Sequence, residues 1–279
     1  MNAQYKLSFV VLTGLVLMGG LFLWYLSVFE RQTEVVFLNV GQGDAILISQ
    51  GKNQILIDGG RTGKELLAQI GRHVPFWDRN IEFVIATHPD ADHIGGLPSL
   101  FRTYEVDHVL TTGARSDTET SRFFEEALSE THFGLTQVSR GAKITLPRGG
   151  ELSIEYPLTF LSAEASDTNE GSIVSRFTYG ETSFLLTGDL PHEETVLHEE
   201  GTATVLKVAH HGSKYSTSDA FLDLVEPKEA VVSVGKNSYG HPDLGVLERL
   251  EKRGVIVRRT DQEGALRYGC SEDACRFIP

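Results

Sequence analysis

Cysteine is scarce in this sequence: only Cys270 and Cys275 occur among its 279 residues. Two thiols are too few for a structural zinc site built on cysteine. The stretch between them is short enough to form a turn that brings the two sulfur atoms together. A disulfide is therefore expected if the domain lies outside the cytoplasm, where such bonds persist. The alternative is two unrelated thiols.

Positive charge is also in deficit, with a formal net charge of −13. This balance argues against a broad basic surface for non-specific nucleic-acid binding. The total includes carboxylates that a metal site would neutralise. Two divalent ions among Asp90, Asp92 and Asp189 would leave one net positive charge locally, and such a centre could hold a phosphate. Charge alone leaves the substrate open.

Only one apolar run is long enough to cross a bilayer. Residues 7–29 contain no charged side chain, and about 20 apolar residues span the hydrocarbon core. Lys6 precedes the run and Trp24 lies near its outer end, as in membrane aromatic belts. We expect residues 1–31 to form a single-pass anchor in the cell membrane, with a folded domain over 32–279 on the extracytoplasmic side. The alternatives are a cleaved signal peptide, whose apolar region is usually about 7–15 residues, and a buried core helix.

Internal repeats, low-complexity tracts and a linker rich in proline or serine are absent from the rest of the sequence, which predicts one domain. Short β-rich segments alternate with glycine turns and amphipathic stretches, a pattern typical of an α/β fold with helices covering sheets. The segment 163–171 is expected to be a loop. Helices are predicted at 64–73, 118–128, 193–199, 218–225 and 243–253. Strands are predicted at 34–40, 45–49, 54–57, 83–86, 144–146, 152–156, 173–179, 183–186, 205–209, 230–234, 255–257 and 265–268.

The strongest chemical signal is the segment Thr87–Gly96, which begins where the apolar strand 83–86 ends. It carries four potential ligands: His88, Asp90, Asp92 and His93. Neutral imidazole and ionised carboxylate are both good donors to divalent metals. The alternative, a solvated acidic loop beside structural histidines, does not account for four donors grouped at a strand end.

This segment resembles the His-x-His-x-Asp-His signature of the metallo-β-lactamase superfamily, with Asp90 in the place of the second histidine. Further motifs follow in the order that the resemblance leads one to expect: FLNVGQGDA at 37–45, IDGG at 57–60, LTGD at 186–189, VAHHGS at 208–213 and YGHP at 239–242. Together, over residues 34–269, they are similar to the external hydrolase domain of ComEC-type competence proteins. The resemblance implies an α/β fold, a four-layer αββα sandwich. One anchor cannot translocate DNA, so transport would need a separate channel protein.

The resemblance also implies two divalent metal ions, manganese or zinc. The implied ligands are His88 and Asp90 for the first ion, Asp92, His93 and His241 for the second, and Asp189 as the bridge between them. Many superfamily members place another histidine before the bridging aspartate, and here that loop offers Asn169 instead. Oxygen donors suit harder ions, which favours manganese.

Asp92, His210 and His211 are the candidate catalytic residues. Consecutive residues on an extended backbone point opposite ways, so only one of the two histidines is expected to face the metals, as a ligand or a general acid. Asp44 and Asp58 are expected to be turn carboxylates, or to hold a ligand histidine in position.

The expected function is metal-dependent hydrolysis of a phosphodiester, with single-stranded DNA outside the membrane as the substrate. A metal-activated water needs no side-chain nucleophile, and no Gly-x-Ser-x-Gly elbow is present. Two alternatives stay open: hydrolysis of a small phosphodiester such as a phosphocholine ester, and a catalytically weak module that binds DNA or an envelope partner. Asp90 and the missing histidine disfavour a β-lactam substrate. Basic residues near the later motifs are candidates for contacting a phosphate backbone: Lys207, Lys214, Lys236 and Arg258 or Arg259.

Overall fold

The computed structural model describes residues 11–21, 33–130, 132–161, 168–197, 201–271 and 273–279. Residues 11–21 form an exposed helix. The remainder of the predicted anchor lies outside the described residues, as do residues 163–167 of the predicted loop and residues 198 and 199 of a predicted helix. Within the described ranges, no helix combines the length and the apolar character needed to span a bilayer.

Two mixed β-sheets lie at the centre of the domain. The first has eight strands: β1 (Thr33–Phe37), β2 (Ile46–Gln50), β3 (Asn53–Ile57), β4 (Asn80–Ala86), β5 (Glu105–Thr111), β6 (Gly134–Gln137), β14 (Leu266–Ser271) and β15 (Ala274–Ile278). Their order is β15-β14-β1-β2-β3-β4-β5-β6. The second has seven strands: β7 (Lys143–Thr145), β8 (Glu151–Tyr156), β9 (Val174–Tyr179), β10 (Thr182–Leu186), β11 (Val205–Lys207), β12 (Glu229–Val232) and β13 (Ile256–Arg259). Their order is β13-β12-β11-β10-β9-β8-β7.

The helices lie between strands in the chain, and the longer ones begin at side-chain caps. They are α1 (Gly63–His73), α2 (Ala91–Ile94), α3 (Leu97–Phe101), α4 (Glu119–Glu130), α5 (Asp219–Val225), α6 (Leu244–Lys252) and α7 (Thr260–Glu263), with 3-10 turns at Asn169–Gly171, Glu193–Thr195 and Ala209–Gly212. Thr62, Ser218 and Asp243 accept backbone N–H bonds at the starts of α1, α5 and α6. Such caps satisfy donors that the first helical turn leaves free.

Three apolar clusters separate the layers. Val35 and Phe37 of β1 pack between the two sheets, whereas Val36 faces the helices that cover the first sheet, including Leu66 of α1. A third cluster joins the second sheet to α5 and α6 through residues such as Phe221. Because both faces of each sheet are covered, the central strands are apolar at successive positions rather than alternating with polar ones. These three clusters lie between four layers, which are stacked in the αββα order expected from the sequence.

The structure confirms one local prediction and corrects others. Cys270 and Cys275 form a disulfide across the β14–β15 hairpin, where they are direct cross-strand partners. The strand predicted at 205–209 ends at Lys207, and the helix predicted at 193–199 is a short 3-10 turn in its described part. Strands β5, β6 and β15 were not predicted.

Candidate metal centre

The candidate centre lies where the two sheets present loops at the same end of the domain. The Thr87–His93 segment follows β4, Asp58 follows β3, and Asp189 follows β10. Close backbone packing joins these loops to the segment between β1 and β2: the Asp44 N–H donates to the Asp92 carbonyl at 3.1 Å. Gly43 has a φ of +123°, and a Cβ there would overlap the Asp92 carbonyl. Only glycine allows this approach.

Asp58 fixes the imidazole of His93. Its carboxylate lies 2.7 Å from His93 Nδ1 and accepts bonds from the Thr87 N–H and hydroxyl at 2.8 and 2.7 Å. The Thr87 hydroxyl proton is thereby used, so His88 Nδ1, 3.0 Å away, must be the donor to that oxygen. Both rings are left with Nε2 facing the centre. Asp58 therefore contacts a histidine, as one of the two expectations for it required, and the ligand role of His93 stays a prediction.

His210 and His211 both turn towards the centre, contrary to the prediction from an extended backbone. Each has a left-handed conformation, with φ of 49° and 54°. His211 Nδ1 lies 2.8 Å from the Ser233 carbonyl, which places Nε2 3.3 Å from Asp189 Oδ2 and 3.5 Å from Asp92 Oδ2. His210 is on the solvent side, with Nε2 3.9 Å from Asp189 Oδ2 and 30% of its side chain exposed.

Asp189 is the point where these groups meet. Its Oδ2 atom also lies 3.2 Å from His93 Nε2, and its N–H donates to the Ser172 hydroxyl at 3.2 Å. Its Oδ1 atom is 3.5 Å from the ammonium group of Lys207, which is fully buried, ion-paired with Asp44 and bonded to the Gly188 carbonyl at 2.8 Å. The prediction that Lys207 contacts a nucleic-acid backbone is therefore wrong, because the side chain does not reach the surface.

Asp90 and His241 lie at the rim of the centre. Asp90 accepts a 2.7 Å bond from the Thr168 hydroxyl, and its other oxygen is 3.9 Å from His88 Nε2. The His241 ring is 5.5 Å from that of His210. Both rim residues line a cavity of about 130 Å³, together with Gln42, Asp92, Asp189, His210, His211 and Tyr239. The basic residues Arg258 and Arg259, expected as backbone contacts, are paired with the neighbouring acids Glu229, Glu263 and Asp261.

The donor set fits divalent cations. Compact groups whose ligand atoms all lie within 4.8 Å of one another are His88–His93–Asp189, Asp92–His93–His211, Asp44–Asp58–His93 and Asp44–Asp189–His211. Among the described residues, these groups do not include Asp90 or His241. The buried Nε2 atoms of His88, His93 and His211 make no hydrogen bond to any part of the chain that the structure describes. Buried nitrogens that contact carboxylates without forming hydrogen bonds are expected where a metal takes their lone pairs.

The electrostatics of the centre agree with this reading. Burial, reinforced by the charge of His93, lowers the pKa of His88 to about 4, so this ring is neutral at pH 7. Burial opposes charge on His211, but the Asp189 carboxylate outweighs it and raises the His211 pKa to about 9. Burial alone would raise the pKa of Asp92, yet His211 and His93 hold it well below its usual range. Without cations, the carboxylates are compensated by protons on neighbouring imidazoles, which cations would displace.

Comparisons with known proteins identify the family to which this sequence and fold are similar. The sequence profile described as the Metallo-beta-lactamase superfamily matches residues 38–236. ComE operon protein 3 of Bacillus subtilis (strain 168) is 31% identical over 290 residues, covering 94% of this chain and 36% of the relative. Competence protein ComA of Neisseria gonorrhoeae is 29% identical, covering 86% of this chain and 33% of the relative.

The chain thus spans about a third of the length of these curated relatives. Among solved structures, the metallo-beta-lactamase fold protein YhfI of Bacillus subtilis superposes with a TM-score of 0.56 at 14% identity, covering 86% of this chain and 100% of that one. That identity shows the shared fold alone. With the profile matched over most of the folded residues, the chain belongs to the metallo-β-lactamase superfamily.

Proposed function

We propose that this chain is a metal-dependent phosphodiesterase that cleaves single-stranded DNA outside the membrane to which it is anchored. The observation that carries the proposal is the convergence of three buried imidazole Nε2 atoms, without hydrogen-bond partners in the described chain, on Asp189 beside a solvent-open cavity. Such a set would hold divalent cations, which supply an activated water for hydrolysis, so no side-chain nucleophile would be needed.

Two divalent cations, manganese or zinc, would supply an acidified water and neutralise the charge that grows on a phosphoryl oxygen. His88, His93, His211, Asp92 and Asp189 would hold them, with Asp90 and His241 completing the set from the rim. Asp90 adds an oxygen donor where many relatives of the fold have nitrogen, which favours manganese.

The remaining chemistry falls to groups at the cavity wall. Asp92, ionised at neutral pH, would accept a hydrogen bond from the attacking water and so orient it towards phosphorus. His210 lies on the solvent side of Asp189, where its imidazole can donate a proton to the departing oxygen. His211 is fully buried and fixed by the Ser233 carbonyl, so we assign it to cation binding rather than proton transfer.

The phosphodiester assignment draws on charge and on the relatives. Three carboxylates, Asp90, Asp92 and Asp189, leave one net positive charge once two divalent cations are bound, which attracts a phosphate. One relative is named a competence protein, and this name makes DNA the first substrate to test. Transport would require a separate channel protein.

The direction of the strands places the start of β1 at the end of the sheet away from the candidate centre, which is compatible with membrane attachment there. β1 is antiparallel to β2, β2 to β3, and β3 is parallel to β4. Thr33 therefore lies at the same end of the sheet as Asn80, roughly 20 Å from the end that carries His88. Phe76 and Trp77, 82% and 45% exposed, precede Asn80 at that far end. Aromatic side chains of this kind favour the membrane interface, and the metal centre would then face away from the bilayer.

The test of the hydrolase uses the full chain in detergent, loaded with manganese or zinc, on labelled single-stranded DNA and on a chromogenic small phosphodiester. DNA cleavage that is lost in Asp92→Ala and kept in Asp117→Ala, an exposed carboxylate, supports the proposal. Turnover of the small diester alone would make the chain a small-molecule phosphodiesterase. DNA binding without turnover would make it a binding module.

The test of the anchor is separate. The full chain should sediment with membranes and resist carbonate extraction, and its folded domain should be open to protease added outside spheroplasts. Release by carbonate, or protection from the protease, would contradict the proposed location.

A further inference from the structure

One wall of the cavity is built from two loops that are far apart in sequence. The Gly235 N–H donates to the Gln42 side-chain carbonyl at 3.3 Å. A Cβ on Gly235 would overlap the backbone of Gly41 and Gln42, so the loops could not meet this closely with another residue there. The segment 235–241 is therefore held against the 41–43 turn at the mouth of the cavity.

Asn237 fixes the shape of this segment from inside. Its side-chain nitrogen donates to the carbonyls of Gly235 and His241, both at 2.9 Å. Its side-chain oxygen accepts the N–H bonds of Tyr239 and His241, both at 3.1 Å. The backbone of Tyr239 is thus set before any ligand arrives.

Tyr239 lines the cavity with Asp92 and Asp189, yet 65% of its surface is exposed. Its ring is nearly parallel to the His241 ring, with centroids 5.8 Å apart and an interplanar angle of 23°. An aromatic side chain held in place at the mouth of a site presents a flat surface at little entropic cost. Among the described residues, the only aromatic ring that stacks on this exposed side chain is that of His241.

The cavity that Tyr239 lines also contains an amide group, that of Gln42. Gln42 lines the same cavity, and its buried side-chain nitrogen makes no hydrogen bond within the described residues. An amide donor left without a partner is costly when buried, unless a ligand completes it. A flat aromatic surface next to an amide donor matches a nucleotide, which has a base to stack and oxygens to accept a bond.

We propose that Tyr239 is the stacking platform for a nucleobase adjacent to the scissile phosphate, with the Gln42 amide donating to an oxygen of the same nucleotide. This proposal rests on the phosphodiesterase function and names the part of the site that selects nucleic acid over small diesters. Stacking needs an unpaired base, so the platform selects single strands over duplex.

The competing account is that Tyr239 serves only to position His241. The two accounts differ for a strand without bases. A positioning role affects cleavage of any phosphodiester, whereas a stacking role affects only strands that carry bases.

The experiment compares two labelled strands of equal length and charge, an oligothymidylate and a strand of abasic tetrahydrofuran sites, with the metal-loaded full chain. In Tyr239→Ala, the ratio of kcat/KM for the thymidylate strand to that for the abasic strand should fall about 5- to 150-fold, the range measured for single base-aromatic stacks. The loss should appear in KM more than in kcat. Tyr239→Trp should restore the ratio, and Tyr215→Ala, an exposed tyrosine outside the cavity lining, should not change it.

A second readout avoids turnover. The metal-free chain, held in chelator, should bind the thymidylate strand more tightly than the abasic one by fluorescence anisotropy, and Tyr239→Ala should remove that difference. An equal loss of kcat/KM on both strands would overturn the proposal in favour of positioning, and an unchanged kcat/KM on both strands would show that Tyr239 has neither role. If the wild-type chain cleaves neither strand, the proposed cleavage of single-stranded DNA fails and the platform fails with it. If both strands are cleaved and Tyr239→Ala leaves the ratio of their kcat/KM values unchanged, the stacking platform is excluded while the phosphodiesterase function stands.

Discussion

Replacing Lys207 with methionine should destabilise the metal-free protein strongly. The ammonium group is fully buried and pairs with Asp44 and Asp189. Burial alone would lower the pKa of Lys207, but these carboxylates raise it above its usual value, so the group is charged. Methionine fills a similar volume without charge, which leaves two buried carboxylates short of a positive partner.

The size of the effect follows from the burial. Removing one partner of a buried ion pair costs about 3–5 kcal/mol, because the other charge stays in the interior without compensation. For a domain of this size, each kcal/mol lowers Tm by about 2–4 °C. The metal-free variant should therefore melt about 6–20 °C below the wild type. Bound cations would compensate the same carboxylates, so manganese should narrow the gap.

The assay is thermal unfolding by circular dichroism in chelator and in manganese, with Lys214→Met as the control because Lys214 is exposed. The pairing itself is isolated by adding Asp44→Asn to the Lys207→Met variant, which removes one uncompensated charge and should recover part of the lost stability. The reasoning would be refuted if Lys207→Met melted within about 2 °C of the wild type in chelator, because loss of a buried ion pair should lower Tm by more than that. A double variant that is less stable than the sum of the single changes predicts would also refute it.

The other predictions concern the support of the centre and two features away from it. Asp58→Asn removes the carboxylate that holds His93 and should weaken metal affinity about 10- to 100-fold in a competition titration with a chelating dye, whereas Asp117→Asn should leave affinity unchanged. Burial raises the pKa of Glu193 to about 7 from 4.5 despite hydrogen bonds from Thr217. The folded state therefore binds the Glu193 proton more tightly than the unfolded state, and the free energy of unfolding should fall by about 3 kcal/mol as pH rises from 4.5 to 7. Glu193→Gln should flatten this dependence of the free energy of unfolding on pH, measured by urea unfolding. An unchanged dependence would contradict the assignment. The hairpin disulfide closes only a short loop, so its reduction should lower the free energy of unfolding by only about 2 kcal/mol. Loss of the fold on reduction would contradict this prediction.

Much of the fold could be predicted because its central strands carry apolar residues at successive positions between glycine turns. The strands that escaped prediction lie towards sheet edges. All four residues of β6 are exposed, and β5 has buried positions mainly at its carboxyl end. An edge strand has no continuous apolar face, so the hydrophobic pattern that identifies a central strand is missing.

The candidate site was predictable in its ligand types and less so in its geometry. The grouping of donors in Thr87–His93 could be read from the sequence, whereas the contact of Asp58 with a histidine was one of two alternatives left open for that residue. The sequence could not show that both His210 and His211 point towards the centre. That orientation depends on two consecutive residues in the left-handed conformation, which is uncommon outside glycine, asparagine and aspartate. Gly212 directly after them was a weak signal of a turn.

Lys207 shows a different limit. It ends the apolar segment 205–207, every residue of which is buried. A lysine in such a run indicates a buried cation, but the acids that pair with it come from the loop after β10 and from the β1–β2 loop. Only the packing of the two sheets brings Asp44 and Asp189 to it, which no local pattern reveals.

The central claim is the proposal that Asp189 and the imidazoles of His88, His93 and His211 would hold divalent cations. Anomalous diffraction from crystals of the full chain grown with manganese tests it most directly. The account predicts anomalous density among these side chains, with Asp189 and Asp92 among the residues that would hold the ions. Crystals from a manganese-containing solution with no anomalous peak among these side chains would contradict it.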